Sequence, residues 1–191
     1  MAMAAVAAAA KVMELVEKSG GAIGAAAKVI DQFNTWFGGV SSVQDKTRWL
    51  EITLVNLSTD AKLSVDDSWF DSGRFWSQPF QSLVPGTAMT FYVCNKDGSI
   101  MTGVSGGVGL EARYISDNSI VSDSGNSWWI CTFSNPFSGS IKCLTRWKGY
   151  GIKGLWEEMD DTHMVRDERC GCYMKDDKKI VYIFKNPETP W

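Results

Sequence analysis

The stretch Arg48-Trp-Leu-Glu-Ile-Thr-Leu-Val-Asn56 has the residue types of a β-strand, with β-branched, aliphatic and aromatic side chains set between polar ones. Segments of the same kind recur along the rest of the chain, and turn-forming clusters of Gly, Asn, Asp, Ser and Pro separate them. The further predicted strands are Ala61–Val65, Ala88–Asn95, Gly109–Ile115, Ser127–Ser134, Ile141–Trp147 and Lys179–Lys185. Seven short strands with turns between them predict a β-sandwich or barrel.

The chain before residue 40 has a different composition. It is rich in Ala, Gly and Lys, and its polar residues recur at steps of three, four and seven, which places them on one stripe of a helix. These residues are Lys11, Glu14, Lys18, Lys28 and Gln32. Glu14 precedes Lys18 by four residues, which is the favourable order for an ion pair.

Glycines interrupt this helical pattern. Each costs about 1 kcal/mol in a helix interior, so Lys18–Gly21 is the predicted stop or hinge, and Gly24 is a further predicted interruption. A continuous helix from Ala2 to Phe37 would be about 54 Å long at 1.5 Å per residue, which exceeds a bilayer core of about 30 Å.

These patterns divide the chain into two parts. Residues 1–40 are predicted to form an amphipathic N-terminal helical segment, and residues 41–191 form the body. Residues 154–161 break the alternation of the body and predict a short surface helix. The predicted fold is therefore mainly β: a β-sandwich flanked by an amphipathic N-terminal α-helix and a second short helix.

Composition and charge exclude several classes of function. The chain has 191 residues, of which 45% are hydrophobic and 21% charged, and its net charge is −3. An acidic chain without a basic patch is not expected to bind nucleic acid. No apolar run reaches the roughly 20 residues of a constitutive membrane helix, so we expect a soluble protein.

The residue patterns of enzymes are also missing. His163 is the single histidine, and it lies in a charged stretch with no nucleophile beside it. The acidic pairs at residues 157–158 and 160–161 are adjacent in sequence and would splay apart on a helix, which argues against an acid/base dyad. We therefore expect no enzymatic activity, no cofactor and no metal.

The five cysteines are an odd number, so at least one thiol is free. Cys131 and Cys143 lie in apolar runs, which favours small buried thiols. The Cys170-Gly-Cys172 spacing is tighter than that of zinc-binding pairs. The sequence leaves any pairing among the cysteines open.

Aromatic residues stand out in the composition. The chain has nine tryptophans, a residue that favours positions with one apolar and one wet side. The densest aromatic cluster spans residues 68–80 and is predicted to be turn-like. Its rings either fill the core beneath a loop or lie at the level of lipid headgroups.

Four short motifs follow one another along the body: Phe70-Asp-Ser-Gly73, Thr102-Gly-Val104, Phe133-Ser-Asn-Pro-Phe137 and Leu155-Trp-Glu-Glu-Met159. In this order they resemble motifs of the actinoporins, a family of small pore-forming cytolysins with a sandwich and a mobile N-terminal helix. Phe70-Asp-Ser-Gly73 resembles the family's aromatic-x-Ser-Gly loop, and Thr102-Gly-Val104 its Thr-Gly strand. Phe133-Ser-Asn-Pro-Phe137 is similar to its Phe-Ser-x-Pro-aromatic segment. Leu155-Trp-Glu-Glu-Met159 is similar to its short helix that begins with an aromatic residue and two acids. The resemblance covers most of the chain.

This resemblance implies a pore-forming toxin. The sandwich would dock on a target membrane through aromatic loops, the N-terminal helix would detach, and helices from several subunits would line a cation-conducting pore. The protein would be secreted as a soluble monomer, and its partners would be phospholipid or glycolipid headgroups and further copies of itself. The implied residues are Trp69, Phe75, Trp76 and Phe137 at the membrane interface and Lys11, Glu14, Glu17 and Lys18 lining the pore.

The headgroup pocket of the family carries over only in part. The implied pocket consists of Ser72, Ser105, Ser134, Pro136, Trp156, Asp160 and Asp161. Ser105 stands where the family has an aliphatic residue, Trp156 where it has a tyrosine, and the two aspartates where it has a tyrosine pair. A tyrosine cage holds a quaternary ammonium by cation–π attraction, whereas aspartates attract a cation only electrostatically. These departures argue against sphingomyelin-type recognition.

A glycan-binding or adhesive module of the same sandwich type, similar to fungal fruit-body lectins, is the alternative. Its N-terminal helix would only pack on the sandwich, as most amphipathic helices do. The long amphipathic segment favours the pore-forming function, and the absence of the tyrosines favours the lectin.

Overall fold

The computed structural model describes residues 14–37, 41–99, 101–116, 119–122, 128–148, 151–160 and 164–191. Two β-sheets pack face to face, and helices cover the outer face of each. The helices are α1 (residues 14–19), α2 (Ala22–Phe37), a 3-10 helix (Ser41–Asp45) and α3 (Gly151–Glu157). The predicted mainly β sandwich with flanking helices is confirmed.

Twelve strands within the described residues form the two sheets. They are β1 (Trp49–Asn56), β2 (Ala61–Ser72), β3 (Arg74–Ser77), β4 (Ser82–Leu83), β5 (Thr87–Cys94), β6 (Val104–Ser116), β7 (Ser119–Ser122), β8 (Trp128–Asn135), β9 (Lys142–Trp147), β10 (Met164–Arg166), β11 (Cys170–Asp176) and β12 (Lys179–Phe184). The first sheet has the order β10-β11-β12-β1-β5-β3. The second has the order β4-β2-β6-β8-β9, and β7 pairs with β6. Only the β1–β12 pair among these is parallel.

Strand β1 is buried on both of its faces. Leu50, Ile52 and Leu54 lie in the core between the sheets, and Val55 lies on the outer face beneath the N-terminal helices. Seven of the eight residues of β1 are buried, as expected of a strand that is covered on both sides.

The N-terminal helical segment breaks at Gly20 and Gly21, as the sequence predicts. The N–H of Gly21 donates to the carbonyl of Val16 at 3.2 Å, and Gly20 has a φ of 75°, which together end α1 as a left-handed C-cap. The prediction for Gly24 is wrong, because Gly24 lies inside α2. A Cβ there would overlap the carbonyl of Ser19, so this glycine permits α1 to fold closely onto α2.

Helix α2 packs on the outer face of the first sheet through small side chains. Its buried residues recur at helical spacing: Ala22, Ala25, Ala26, Val29 and Ile30. They meet Val55, Leu57, Ala88, Val181 and Ile183 of β1, β5, β12 and the residue after β1. We call residues 14–37 the arm. None of the described helices is both long and apolar enough to cross a membrane.

All seven predicted strands are present, but the ring-rich stretch at residues 68–80 differs from its prediction. It is not an open loop. Residues 68–72 complete β2 and residues 74–77 form β3, with a sharp bend at Gly73 between them. Gly73 has a φ of 89°, and a Cβ there would lie 2.7 Å from the carbonyl oxygen of Cys94, so only glycine fits.

All five cysteines are free and buried, which predicts that they are unreactive in the folded protein. Burial raises the pKa of the Cys94, Cys131 and Cys170 thiols, because desolvation disfavours the reactive thiolate. We expect an aromatic disulfide reagent at pH 8 to label five thiols in guanidinium chloride and fewer than one in native buffer. Fast labelling of any thiol before unfolding would contradict the packing of the core.

Candidate functional site

Three serines lie side by side where three strands of the second sheet end. In the register of the sheet Ser72 of β2 pairs with Ser105 of β6, and Ser105 pairs with Ser134 of β8. The alternation of β8 places Phe133 in the core, so Ser134 faces outward. We call these three residues the serine row.

Hydrogen bonds join one side of the serine row. The hydroxyl oxygens of Ser72 and Ser105 are 3.2 Å apart, and Ser105 donates to a carboxylate oxygen of Asp71 at 3.3 Å. Asp71 reaches this position because the register shifts between Phe70 and Ser72, which inserts an extra residue into β2. The site thus combines hydroxyl groups with one carboxylate.

Helix α3 lies on the same outer face because strand β6 is rich in glycine. A Cβ on Gly107 would lie 2.6 Å from the carbonyl oxygen of Cys131 and 2.6 Å from the Ile152 side chain. The absence of a side chain lets Ile152 and Leu155 of α3 bury themselves against Ile130. Glycine in a strand marks this kind of close approach.

Two tryptophans stand next to the serine row. Trp156 of α3 meets Trp69 of β2 edge to face, with ring centroids 5.2 Å apart. Trp69 pairs with Gly107, two residues along β6 from Ser105, which corresponds to about 7 Å. The indole N–H of Trp156 is buried and has no acceptor among the described residues. The outer face therefore offers aromatic surface beside a polar row.

The end of the sandwich beyond the serine row exposes large apolar side chains. Met101 is 72% exposed and Phe137 is 42% exposed. Their loops touch, because a Cβ on Gly103 would lie 2.7 Å from Cα of Pro136. We call the described residues of 41–48, 72–74, 95–103 and 136–141 the loop end.

Cationic side chains surround an aromatic ring on the flank of the loop end. Lys46 and Arg74 lie 5.2 and 5.5 Å from the ring of Trp76. Both also bind the carboxylate of Asp97, and their hydrogen bonds and charges lower its pKa. The carboxylate of Asp97 is thus already neutralised by two cations.

Comparison with solved structures establishes the fold. The crystal structure of the lipid-binding protein Nakanori aligns with a TM-score of 0.54 at 11% sequence identity, over 84% of this chain and 77% of that chain. The chain has an actinoporin-like fold. IP-1A from Alcaligenes faecalis aligns with a TM-score of 0.46 at 16% identity, over 76% of this chain and 96% of that one. The RahU protein in complex with a TRIS molecule aligns with a TM-score of 0.43 at 6% identity, over 73% and 95%.

No protein-family model matches the chain, and no curated protein matches it. The chain therefore shares its fold with Nakanori while most of its residues differ. Its own side chains must carry any argument about what it binds.

The predicted interface aromatics lie in four different environments. Phe137 is exposed at the loop end, and Trp76 lies on its flank between Lys46 and Arg74. Trp69 is half-buried beside α3, and Phe75 packs on the core with its ring 5.8 Å from that of Phe91. The Phe75 ring is thus half-buried against the core.

The remaining predicted site residues are also dispersed. Pro136 is half-buried directly after the serine row, and Asp160 is exposed beyond α3. Glu14, Glu17 and Lys18 are exposed on α1, where Glu14 and Lys18 form the expected ion pair. Lys11 and Asp161 lie outside the described residues.

Two residues of the loop end were absent from the sequence-based prediction. Met101 lies between Gly98 and Gly103, and an apolar residue in a turn-rich segment is the signal that would have identified it. Arg48 was taken only as the start of a strand. Its place beside Phe137 depends on a contact across 89 positions of sequence, which no local pattern encodes.

The close packing of α3 on Gly107 predicts the effect of Gly107→Ala. The added methyl group would meet a main-chain carbonyl that cannot yield, so α3 must shift and the Trp69–Trp156 contact must loosen. We expect a loss of about 1–3 kcal/mol in unfolding free energy and a weaker near-ultraviolet circular dichroism signal. Lys153→Ala on the exposed face of α3 is the control and should leave that signal unchanged. An unaltered spectrum in Gly107→Ala would contradict this arrangement.

Proposed function

We propose that this protein binds lipid membranes through the loop end of its sandwich. The observation that carries the proposal is the exposure of Met101 and Phe137 on touching loops, next to the serine row. Nakanori, which shares the fold, is a lipid-binding protein, and this supports the proposal. The function is non-catalytic.

The energetics of these side chains favour a membrane interface. Full burial of a Met or Phe side chain is worth about 1.5–3 kcal/mol, and this free energy is not used while Met101 and Phe137 face water. Trp76, with Lys46 and Arg74 at 5.2 and 5.5 Å from its ring, has the amphipathic surroundings that tryptophan takes at the headgroup level. Met101 and Phe137 thus form an apolar tip of the loop end, with polar and charged groups behind it.

The serine row and Asp71 supply the headgroup contacts of the proposed site. Hydroxyl oxygens and a carboxylate accept hydrogen bonds from ammonium or hydroxyl groups of a headgroup, and the serine hydroxyls also donate. The Trp69–Trp156 pair adds apolar surface at one side. Phospholipid and glycolipid headgroups both carry groups of this kind.

Removal of the apolar tip tests membrane binding. We expect Met101→Ser combined with Phe137→Ser to weaken binding to phospholipid vesicles at least tenfold in a sedimentation assay, because the apolar surface that enters the bilayer is lost.

The matched control for the tip is Phe80→Ser. Phe80 is 58% exposed, but its neighbour Gln81 accepts a hydrogen bond from Val65, about 20 Å along β2 from Ser72. This variant should bind like the parent protein. Equal losses in both variants, or binding of glycans but of no vesicle, would sink the proposal and favour the lectin-like alternative.

We further propose that the bound protein oligomerises and forms a cation-conducting pore with its arm. The buried face of α2 consists largely of alanine, so its release exposes little apolar surface per residue. The same face can be reburied in lipid at a similar free energy per area. The exposed Glu14, Glu17 and Lys18 of α1 then line the water-filled pore. Lys11, which the sequence pattern groups with Glu14 and Lys18, lies outside the described residues.

The connection of the arm to the body suits this transfer. α2 begins at the end of the sandwich opposite the loop end, where the N–H of Ala22 donates to the carbonyl of Pro190 at 3.1 Å. Helix α2 ends at Phe37, and the chain re-enters the body through the 3-10 helix at the start of β1, next to the loop end. A detached arm therefore stays attached at the side that faces the membrane.

Trp191 contacts the bend between α1 and α2 at Gly20 and Gly21, which we call the elbow. A Cβ on Gly21 would lie 2.7 Å from the carbonyl oxygen of Trp191, so the two chain segments are in direct contact. The Trp191 indole N–H donates to the carbonyl of Asp167 at 2.9 Å, and Lys185 lies 4.7 Å from the ring. Loss of this side chain loosens the elbow.

Two variants with opposite effects test release of the arm. Ala26→Cys with Ala88→Cys places thiols on α2 and β5 within one buried cluster, and the disulfide should abolish dye release from vesicles until a reductant is added. Trp191→Ala should instead speed dye release severalfold.

Thiol titration of the denatured double-cysteine protein, before and after reduction, verifies that the bond has closed. The two single-cysteine variants are the controls and should release dye regardless of reductant. Dye release by the closed disulfide form would contradict a pore made by the arm, while leaving membrane binding untouched.

A further inference from the structure

Arg48 is a half-buried guanidinium at the loop end whose donors are mostly unused. One terminal nitrogen donates to the carbonyl of Phe137 at 2.8 Å, and the other makes a long bond of 3.4 Å to the carbonyl of Thr47. Its Nε–H is buried and has no acceptor among the described residues. A guanidinium has five N–H donors, so the protein satisfies fewer than half of them.

No described carboxylate pairs with Arg48. Asp97, an acidic residue of the same loop end, binds Lys46 and Arg74 instead. Other arginines of the body have carboxylate partners: Arg113 pairs with Glu111 and Arg146 with Glu158. Arg48 therefore carries a positive charge that the described part of the chain does not balance.

The position of Arg48 is fixed by the fold. Its backbone N–H donates to the side-chain oxygen of Asn95, and its carbonyl accepts the backbone N–H of Asn95 at 3.0 Å. The guanidinium carbon lies 5.7 Å from the centre of the Phe137 ring, so the charge sits over an aromatic ring that is itself exposed. A side chain held in this way loses little conformational entropy when it binds a ligand.

The chemistry of these unused donors matches a phosphate group. The planar fork of a guanidinium donates paired hydrogen bonds to phosphate oxygens, and this charge-assisted pairing is stronger than bonds to neutral acceptors. The bonds that the two terminal nitrogens make are exposed, so an anion can reach the remaining N–H groups there while the side chain keeps its position. The ligand is thus an anion with several oxygens.

We propose that Arg48 is the phosphate-binding residue of the loop end and that its ligand is the phosphate of a membrane phospholipid. This inference rests on the proposed membrane binding. When Met101 and Phe137 enter the bilayer, Arg48 behind Phe137 comes to the level of the headgroups.

The first test compares vesicles whose headgroups contain a phosphate with vesicles whose headgroups contain none. The parent protein is titrated with phosphatidylcholine vesicles and with digalactosyldiacylglycerol vesicles, which contain no phosphate. We expect at least tenfold tighter binding to the phospholipid, and we expect Arg48→Gln to abolish this preference while Arg48→Lys retains part of it.

Arg146→Gln is the matched control. It removes the same charge, but Arg146 pairs with Glu158 at 2.7 Å at the other end of β9 from the loop end. Thermal unfolding of each variant confirms that it is folded. If Arg48→Gln still binds phosphatidylcholine vesicles tenfold more tightly than digalactosyldiacylglycerol vesicles, the inference is overturned while membrane binding stands. The same holds if Arg146→Gln loses this preference to the same extent as Arg48→Gln.

A second readout does not depend on vesicles. The Nε–H resonance of Arg48 is followed by nuclear magnetic resonance during titration with monomeric dihexanoylphosphatidylcholine and, separately, with inorganic phosphate. A saturable shift with the lipid at lower concentration than with phosphate supports the proposed site, even if vesicle binding fails. A shift with inorganic phosphate at equal or lower concentration, or no shift with either, refutes a phospholipid site at Arg48.

Discussion

The burial of strand β1 on both of its faces is the constraint on which the rest of the structure depends. Its inner face joins the core between the sheets, and its outer face carries the arm. β1 also pairs with β12 in parallel and with β5 antiparallel, which brings the end of the chain next to its beginning. The elbow at Gly21 can therefore contact Pro190 and Trp191. One strand thus places the arm, the chain end and the start of the loop end.

Strand β6 has the corresponding role in the second sheet, through residues that lack side chains. Gly107 leaves room for α3, and α3 in turn sets Trp156 against Trp69 beside the serine row. A larger residue at position 107 would overlap main-chain atoms of β8 and displace α3. The two sheets therefore carry their helices in different ways: the first by complementary apolar packing, the second by a gap in the sheet surface.

Much of the fold follows from local patterns, and the errors have physical causes. Seven of the eight strands with six or more residues, and the helix break at Gly20 and Gly21, were predictable from residue types and spacing, whereas β11 was missed. The ring-rich stretch at residues 68–80 was mistaken for a loop, because a glycine bend and a strand shift interrupt its alternation. Gly24 was mistaken for a helix break. A glycine is needed at this position because Ser19 lies too close for a side chain, and such a contact is not visible in the local sequence. Short strands such as β10 carry too few residues for a periodic signal.

The sequence by itself determined the sandwich class, the amphipathic arm and its break, because hydrophobic periodicity and turn residues act over short distances. The residues of the serine row were named only through the resemblance to a known family. Only the tertiary structure decided which of these residues meet. The serine row forms because three strands end at the same level, and Phe75 lies half-buried against the core because β3 pairs with β5. Arg48 meets Phe137 because β1 and the loop after β8 converge at one end of the sandwich. Such contacts depend on the register between distant strands, which the pairing of whole sheets sets and no local pattern records.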